Sequence, residues 1–420
     1  MHFRTFATSV IMMGLAFTRV PAQATVSVPE NLTLAAAKSL LMIYNPTLRA
    51  ERVNVDIESG DVLNAEKRPN PILSVGSEGL SFSSSDRSFF DNQEFSLTLK
   101  QDIELSGKRQ KRTFLEQADV EIAEIELQNT VRVLTFELQK AYYQVIRAQE
   151  DLRLAREILE HFVEVVRLNR IRYERGEIAG GELRRVEAAQ YRFFEDVVAA
   201  EVGLENAQDQ LLGLLGSTDF DQRFEAIDRF DSQFVPPPAQ ELRDTALRER
   251  ADIAVQRARL SQSDVGIELE KAHGVPTISP FVGYRRDFGV NGAILGVEIP
   301  LFVSNRNTGG IARAQAQRRR QEQLVGLLEV RALQEVQLAL NELAGNRKRM
   351  EALQEQYLEK AQQSRDIAES AYRLGGASLS EFLDAERTYR ETSRLYNQVL
   401  YDFQISRGQL ELAIGKDLQP

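Results

Sequence analysis

One seam of apolar side chains constrains this 420-residue chain more than anything else in it. From Leu134 to Tyr173 the positions Leu134, Leu138, Ala141, Val145, Ala148, Leu152, Ala155, Leu159, Phe162, Val166, Asn169 and Tyr173 advance in alternating steps of four and three, and all but Asn169 are apolar or aromatic. A heptad repeat held for so long specifies a helix that buries one stripe against partner helices, and the three alanines on it admit a close approach. Neither proline nor glycine occurs between Gly107 and Gly176. The sequence therefore predicts a helix over that interval, a rod of roughly 100 Å at ~1.5 Å per residue. A second stretch, Ala312 to Leu374, is interrupted only by Gly326 and Gly345 and carries a weaker seam through Val336, Leu340, Leu343, Met350, Tyr357, Ala361, Ala368 and Ala371. Globular domains rarely contain such rods, so a coiled-coil rod or barrel is expected.

Two rods arise from an internal duplication. Laying Tyr173-Glu174-Arg175-Gly176 on Tyr372-Arg373-Leu374-Gly375 gives an offset of 199, which also matches Glu182 with Glu381, Glu187 with Glu386, Leu211 with Leu410 and Gly216 with Gly415. Upstream, Pro71 matches Pro276 and Ile103-Glu104-Leu105 matches Ile299-Pro300-Leu301. The halves meet at Pro236-Pro237-Pro238, which cannot continue a helix and stiffens the join. The expected organisation is a first repeat over 25–235, a proline linker over 236–240 and a second repeat over 241–420. Each repeat reads as helix, two strands, long helix, turn and shorter helix.

Each strand pair precedes its rod. Phe95 to Lys100 alternates strictly, and Ala293, Leu295, Val297, Ile299 and Leu301 share one parity. Ile72 to Leu80 and Ile278 to Tyr284 are the preceding strands, joined by polar loops over Ser81–Arg87 and Arg286–Gly292. Such strands are about long enough to cross an outer membrane with an apolar side to lipid. The alternation equally fits a half-buried soluble hairpin. The N-terminus favours the membrane. His2 and Arg4 precede the uncharged run Phe6 to Phe17, and Ala22-Gln23-Ala24 offers a small-x-small cleavage site, so residues 1–24 read as a signal peptide. Four strands are too few to close a transmembrane barrel, so several chains must share one.

Composition removes most other functions. The chain has no cysteine and no tryptophan, three histidines and a net charge of −10. Thiolate metal sites, a cysteine nucleophile and an acylated N-terminal cysteine are excluded, and an acidic chain is no nucleic-acid binder. A mean hydropathy of −0.33 argues against a bundle of transmembrane helices. Once the leader is removed, 50 basic residues face 62 acidic ones, a balance of −12. His161 and His273 read as structural or solvated, and no catalytic, metal-binding or cofactor-binding constellation is present. Ser106-Gly107-Lys108 is no phosphate loop, lacking the upstream glycine and the hydroxyl residue after lysine.

With both turns in view, Tyr173 to Leu183 and Tyr372 to Ala385, nearly the whole mature chain resembles the TolC-like outer-membrane efflux channels. The resemblance implies a mainly α protein with a membrane β part. It would be a homotrimer with a 12-stranded barrel in outer-membrane lipid, four strands per chain, and twelve helices in a coiled-coil periplasmic tunnel. Its implied partners are a periplasmic adaptor and an inner-membrane RND-type pump. Glu104-Leu105-Ser106-Gly107-Lys108-Arg109 is similar to the subgroup serving cobalt-zinc-cadmium type cation efflux. By the same resemblance, Glu381 and Asp384 occupy the acidic ring that gates the pore, and Tyr372 and Glu182 the closed-state lock. The arginine often accompanying that lock is Ala377 here, leaving Arg184 or Arg185 to substitute. Gly176 and Gly375 are expected to be left-handed helix caps at the adaptor-docking tips. Two acids in a helix's first turn also complement its dipole, worth ~0.3–1 kcal/mol, with no pore required. A same-fold duct for drug efflux or type I protein secretion is the related alternative, and a soluble periplasmic coiled-coil scaffold is the alternative of another class.

Overall fold

The computed structural model describes residues 26–78, 94–287 and 289–418. The expected signal peptide and the loop Ser81–Arg87 lie outside the described residues. In chain order the elements are β1 (Asn31–Leu32), α1 (Leu34–Tyr44), α2 (Pro46–Ala65), β2 (Ile72–Glu78), β3 (Glu94–Lys100), α3 (Lys108–Glu174), α4 (Gly180–Leu215) and β4 (Glu225–Ala226). The second half follows with α5 (Ala239–Glu249), α6 (Ala251–His273), β5 (Ser279–Asp287), β6 (Val290–Glu298) and α7 (Thr308–Ala352). A π turn (Leu353–Tyr357), α8 (Leu358–Arg373) and α9 (Leu379–Ile414) complete it.

The seam forms as its period requires. α3 is a single helix of 67 residues, and Leu138, Val145, Ala148, Leu152, Ala155, Phe162, Val166 and Asn169 are all buried along it. α3 pairs with α4 and also packs against α9, α6 and α2. Instead of one central core, apolar clusters are strung along the rod. The largest joins Leu41, Leu138, Tyr142, Val145, Leu211 and Leu215, and there the Tyr142 hydroxyl donates to the Leu32 carbonyl at 2.8 Å.

The repeat is visible residue by residue. α4 and α9 are both 36 residues long, and 180–215 maps onto 379–414 with the offset of 199. Both end on a left-handed glycine, Gly216 and Gly415, with φ of +84° and +77°. A Cβ there would come within 2.7 Å of the Tyr44 carbonyl and 2.9 Å of the Glu249 carbonyl, the last residues of α1 and α5. Glycine is required twice, by backbone angle and by close approach.

Three expectations need correction. The first helix of each half is broken: Asn45 (ψ 125°) separates α1 from α2, and Arg250 (ψ 121°) separates α5 from α6. At the first break Pro46 pushes the preceding residue out of the helical region, and the Asn45 side chain caps Leu48 at 3.0 Å. At the second, the buried Arg250 guanidinium binds Asp252 (2.7 Å), Glu335 (2.6 Å) and the Ala413 carbonyl (3.0 Å), so tertiary contacts set the corner. The second rod runs through Gly326 and Gly345, both within α7, as one rod requires, but a π turn then interrupts it. A π turn changes the number of residues per turn and rotates the stripe. Tyr357, which the heptad places in the seam, is accordingly 57% exposed. Finally, β5 and β6 run through most of the expected loop Arg286–Gly292: Asp287 pairs with Val290, and Gly289 turns the chain with φ +83°. β6 stops at Glu298, two residues before Pro300, which has no N–H to offer a ladder.

The four long strands form one antiparallel sheet in the order β2-β3-β5-β6. Register aligns Leu73, Leu99, Val282 and Leu295 in one row and Val75, Leu97, Tyr284 and Ala293 in the next row on that face. This apolar face is open, Leu295 being 84% exposed. The other face mixes small, polar and apolar residues: Ser74, Thr98, Gly283 and Ile294, then Gly76, Ser96, Arg285 and Gly292, with Ile72, Lys100, Phe281 and Gly296 on the far side of the first row. Strands of nine residues, as β5 and β6 are, match the length of a tilted transmembrane strand. Among the described residues no helix is long and apolar enough to cross a membrane.

The motif Glu104–Arg109 is the corner joining sheet to rod. Ser106 and Gly107 are both left-handed, and Glu104 accepts two hydrogen bonds from Arg112 (2.9 and 3.3 Å). Arg112 also donates to the carbonyls of Ala65 and Lys67, closing the end of α2. In the second half left-handed Asn307 starts α7 and donates to the Glu270 carbonyl at 2.9 Å, near the end of α6. α3 thus leaves the sheet at one end and reaches its hairpin turn roughly 100 Å away.

Candidate functional site at the hairpin tips

The far ends of the rods are two helical hairpins, α3–α4 and α8–α9. Their turns are made as expected, with Gly176 at φ +75° and Gly375 at φ +79°. The Glu177 and Gly376 amides reach back to the Arg172 and Ala371 carbonyls at 2.8 Å each, closing the helix ends in the manner of a Schellman cap. Around them Arg175, Gly176, Glu177, Leu374 and Gly375 are exposed, Leu374 to 88%.

Behind the turns an aromatic column ties the hairpins together. Phe193 of α4 meets Phe162 of α3 at 4.6 Å between ring centres. Phe162 stacks on Phe382 of α9 at 6.2 Å, and Phe382 on Tyr372 of α8 at 5.6 Å. The Tyr372 hydroxyl donates to Asn169 Oδ1 at 2.9 Å. Burial raises the Tyr372 pKa, the Asn169 hydrogen bond lowers it, and the Glu182 charge raises it further. Tyr372 and Glu182 are therefore within electrostatic range of each other, but the hydroxyl bonds to Asn169 inside the same chain. Arg184 and Arg185 are exposed on the first turns of α4.

Glu381 and Asp384 stand three apart on the first turns of α9, both exposed. Glu381 closes a capping box: its carboxylate accepts from the Ser378 amide at 2.7 Å, while Ser378 Oγ accepts from the Glu381 amide at 3.3 Å. Hydrogen bonds from the Ser378 backbone and side chain hold the Glu381 carboxyl below its usual range. Asp384 forms an ion pair with Arg387. The first hairpin lacks the box: its N-cap is Ala179, with no side-chain hydrogen bond. Sequence reasoning missed Asn169 as the Tyr372 partner, although it is the one polar member of the seam. It also missed the Ser378-x-x-Glu381 spacing that announces a capping box.

An antiparallel sheet with an open apolar face, continued by two helical hairpins built on an internal repeat, defines an outer-membrane channel protein with a long helical extension. The chain belongs to the outer membrane efflux protein family, whose model matches residues 39–217 and 242–416. That family consists of passive channels, not enzymes. The cobalt-zinc-cadmium resistance protein CzcC of Cupriavidus metallidurans is 26% identical over 88% of this chain and 86% of its own length. The pyoverdine export outer membrane protein OpmQ of Pseudomonas aeruginosa is 24% identical over 72% of this chain and 66% of its own. The crystal structure of the channel CusC superposes with a TM-score of 0.75 at 20% identity, covering 91% of this chain and 92% of that one.

Proposed function

We propose that this protein is the exit duct of a tripartite efflux system that expels heavy-metal cations. In this reading three copies close one barrel of twelve strands, their hairpins form a periplasmic tunnel, and an adaptor and a proton-driven inner-membrane pump engage the tips. The observation that carries it is the four-stranded sheet with an open apolar face and no partner strand on the outer edges of β2 and β6 among the described residues. A sheet of four cannot close alone, and neighbouring copies would supply the missing partners. The metal reading rests on the CzcC relative and on the corner Glu104–Arg109.

At the tips, Glu381 and Asp384 from three copies would place six carboxylates around the mouth. A ring of fixed negative charge raises the local cation concentration and disfavours anions. Glu182 and Arg184 or Arg185 would form the contacts that hold the mouth shut between copies, with Tyr372, bonded to Asn169 inside its own chain, bracing the hairpin behind them, and Gly176 and Gly375 would shape the surface offered to the adaptor. The ring is tested by Glu381→Ala combined with Asp384→Ala in planar bilayers. The proposal expects intact assemblies with reduced cation preference, and unchanged selectivity would remove the gate assignment. Substrate is tested by deleting the gene: sensitivity to zinc, cobalt or cadmium supports metal efflux. The OpmQ relative favours a second reading, export of an organic molecule, which the same strain would reveal by sensitivity to drugs with unchanged metal tolerance.

A further inference from the structure

The offset of 199 that superposes the hairpins also exposes a charge difference at an interhelical pair behind the tips. Arg170 and Glu187 correspond to Glu369 and Glu386. In the first hairpin Arg170 donates to Glu187 at 2.8 Å across the α3–α4 pair, an exposed bond between opposite charges. In the second hairpin both positions are acidic. Glu386 is only 4% exposed, and its Oε1 has no hydrogen-bond partner. Arg365, also buried, gives its guanidinium hydrogen bonds to Asp366 (2.8 and 3.0 Å) and lies over the Tyr389 ring at 4.2 Å. Glu369 is paired with Arg373 at 2.5 Å.

The charges acting on Glu386 are Arg365, Asp366 and Glu369 from α8 and Arg390 from its own helix. Arg390 is committed to Asp196 of α4 at 2.6 Å. To the apolar cluster at this level α3 and α4 contribute Phe162, Val165, Val186 and Phe193, which bring no compensating charge. The π turn Leu353–Tyr357 interrupts the same rod directly before α8. A buried carboxylate, a like charge opposite and a nearby break in the helix coincide in one hairpin and have no counterpart in the other.

We infer that the second hairpin is a pH-responsive joint: protonated Glu386 lets α8 seat against α9, and its ionisation loosens that contact while the first hairpin stays closed. Burial is the main cause that lifts the Glu386 carboxyl from 4.5 to about 7; Glu369 and Asp366 lift it further, and Arg365 and Arg390 oppose. The packed hairpin therefore holds the proton more tightly than the opened one. Packing is strongest below 4.5 and is lost as pH rises through about 7. The inference does not rest on the efflux reading, since the exchange measurement below does not depend on transport.

The test is amide hydrogen exchange of the purified full-length protein in detergent micelles, corrected for intrinsic exchange rates. Protection of residues 358–373 should fall on the order of tenfold between about pH 5.5 and about pH 8, with the first turns of α4, residues 180–190, as the unchanging reference. Glu386→Gln should keep protection high at both values. Glu369→Arg, which rebuilds the opposed pair of the first hairpin, should do the same and serves if the first variant fails to fold. Equal pH dependence in both hairpins of the wild type, or a wild-type response surviving in these variants, would overturn the inference.

Discussion

Tyr372 on α8 and Asn169 on α3 meet through a 2.9 Å hydrogen bond that links the two hairpins of one chain, and both side chains are almost wholly excluded from solvent. Asn169 in turn donates to the Val165 carbonyl at 2.8 Å, so its amide is fixed at both ends. The one polar member of the long seam is therefore a specific cross-tie and not a flaw in the packing.

Removing one partner strands the other. Asn169→Leu leaves the buried tyrosine hydroxyl without an acceptor and should cost about 1–3 kcal/mol, read as a lower midpoint in denaturant melts. Adding Tyr372→Phe to Asn169→Leu should recover part of that loss. A double variant no better than the single would show that the bond contributes nothing beyond packing.

The tips differ in their helix caps. Ser378→Ala should cost about 1 kcal/mol at the start of α9, and Ala179→Ser should stabilise the start of α4 by a similar amount, both visible as exchange protection in the first two turns. Because Glu381 is held below its usual pKa by Ser378, that contribution is present above the unfolded carboxyl range and fades as pH falls through the folded value. In Ser378→Ala the acid-dependent fraying of α9 should shrink but persist, because the residue 378 amide still donates to the Glu381 carboxylate.

Arg250 is a buried charge with two carboxylate partners. Arg250→Met abandons Asp252 and Glu335, which keep partial access to water, and should destabilise by about 1–3 kcal/mol. Burial alone would raise the Asp252 carboxyl, but the Arg250 hydrogen bonds and charge outweigh it and hold the group low. Acid titration of the wild type should therefore remove stability as pH drops through that lowered value, and the step should be smaller in the variant, where only Arg132 and the Ile253 amide still favour the ionised carboxyl.

The two faces of the sheet should respond oppositely to charge. Leu295→Lys on the apolar face should hinder membrane insertion by up to about 2–4 kcal/mol, with the largest effect near the bilayer midplane. Thr98→Lys on the mixed face should leave insertion intact and alter conductance. Heat-modifiable mobility on gels measures the first, and single-channel recording the second. Equal insertion of both variants would argue against the assignment of the apolar face to lipid.

Much of this was legible because local rules and global packing agree. The seam and its flanking glycines specified α3 nearly to its ends, and the repeat offset carried the boundaries of α4 onto α9. The break at Arg250 was not legible, since no proline marks it and, beside the neighbouring Asp252, the distant Glu335 carboxylate and Ala413 carbonyl hold it. The π turn was equally silent, because its residues continue the helical pattern while the backbone departs from it. At the tips, the left-handed glycines were visible in the sequence. The burial of Glu386 was not, because a glutamate at a matched position reads the same whether it meets an arginine or another acid.

The open edges of β2 and β6 carry a genetic consequence. In the trimer proposed above, each subunit is both neighbour and closure for the other two, so no chain can finish its own fold. A variant damaged along one edge, by a proline in β6 for example, would still offer its sound edge to healthy copies and so be drawn into their rings. Expressed beside the normal gene, such an allele should be dominant, whereas a null allele should be recessive.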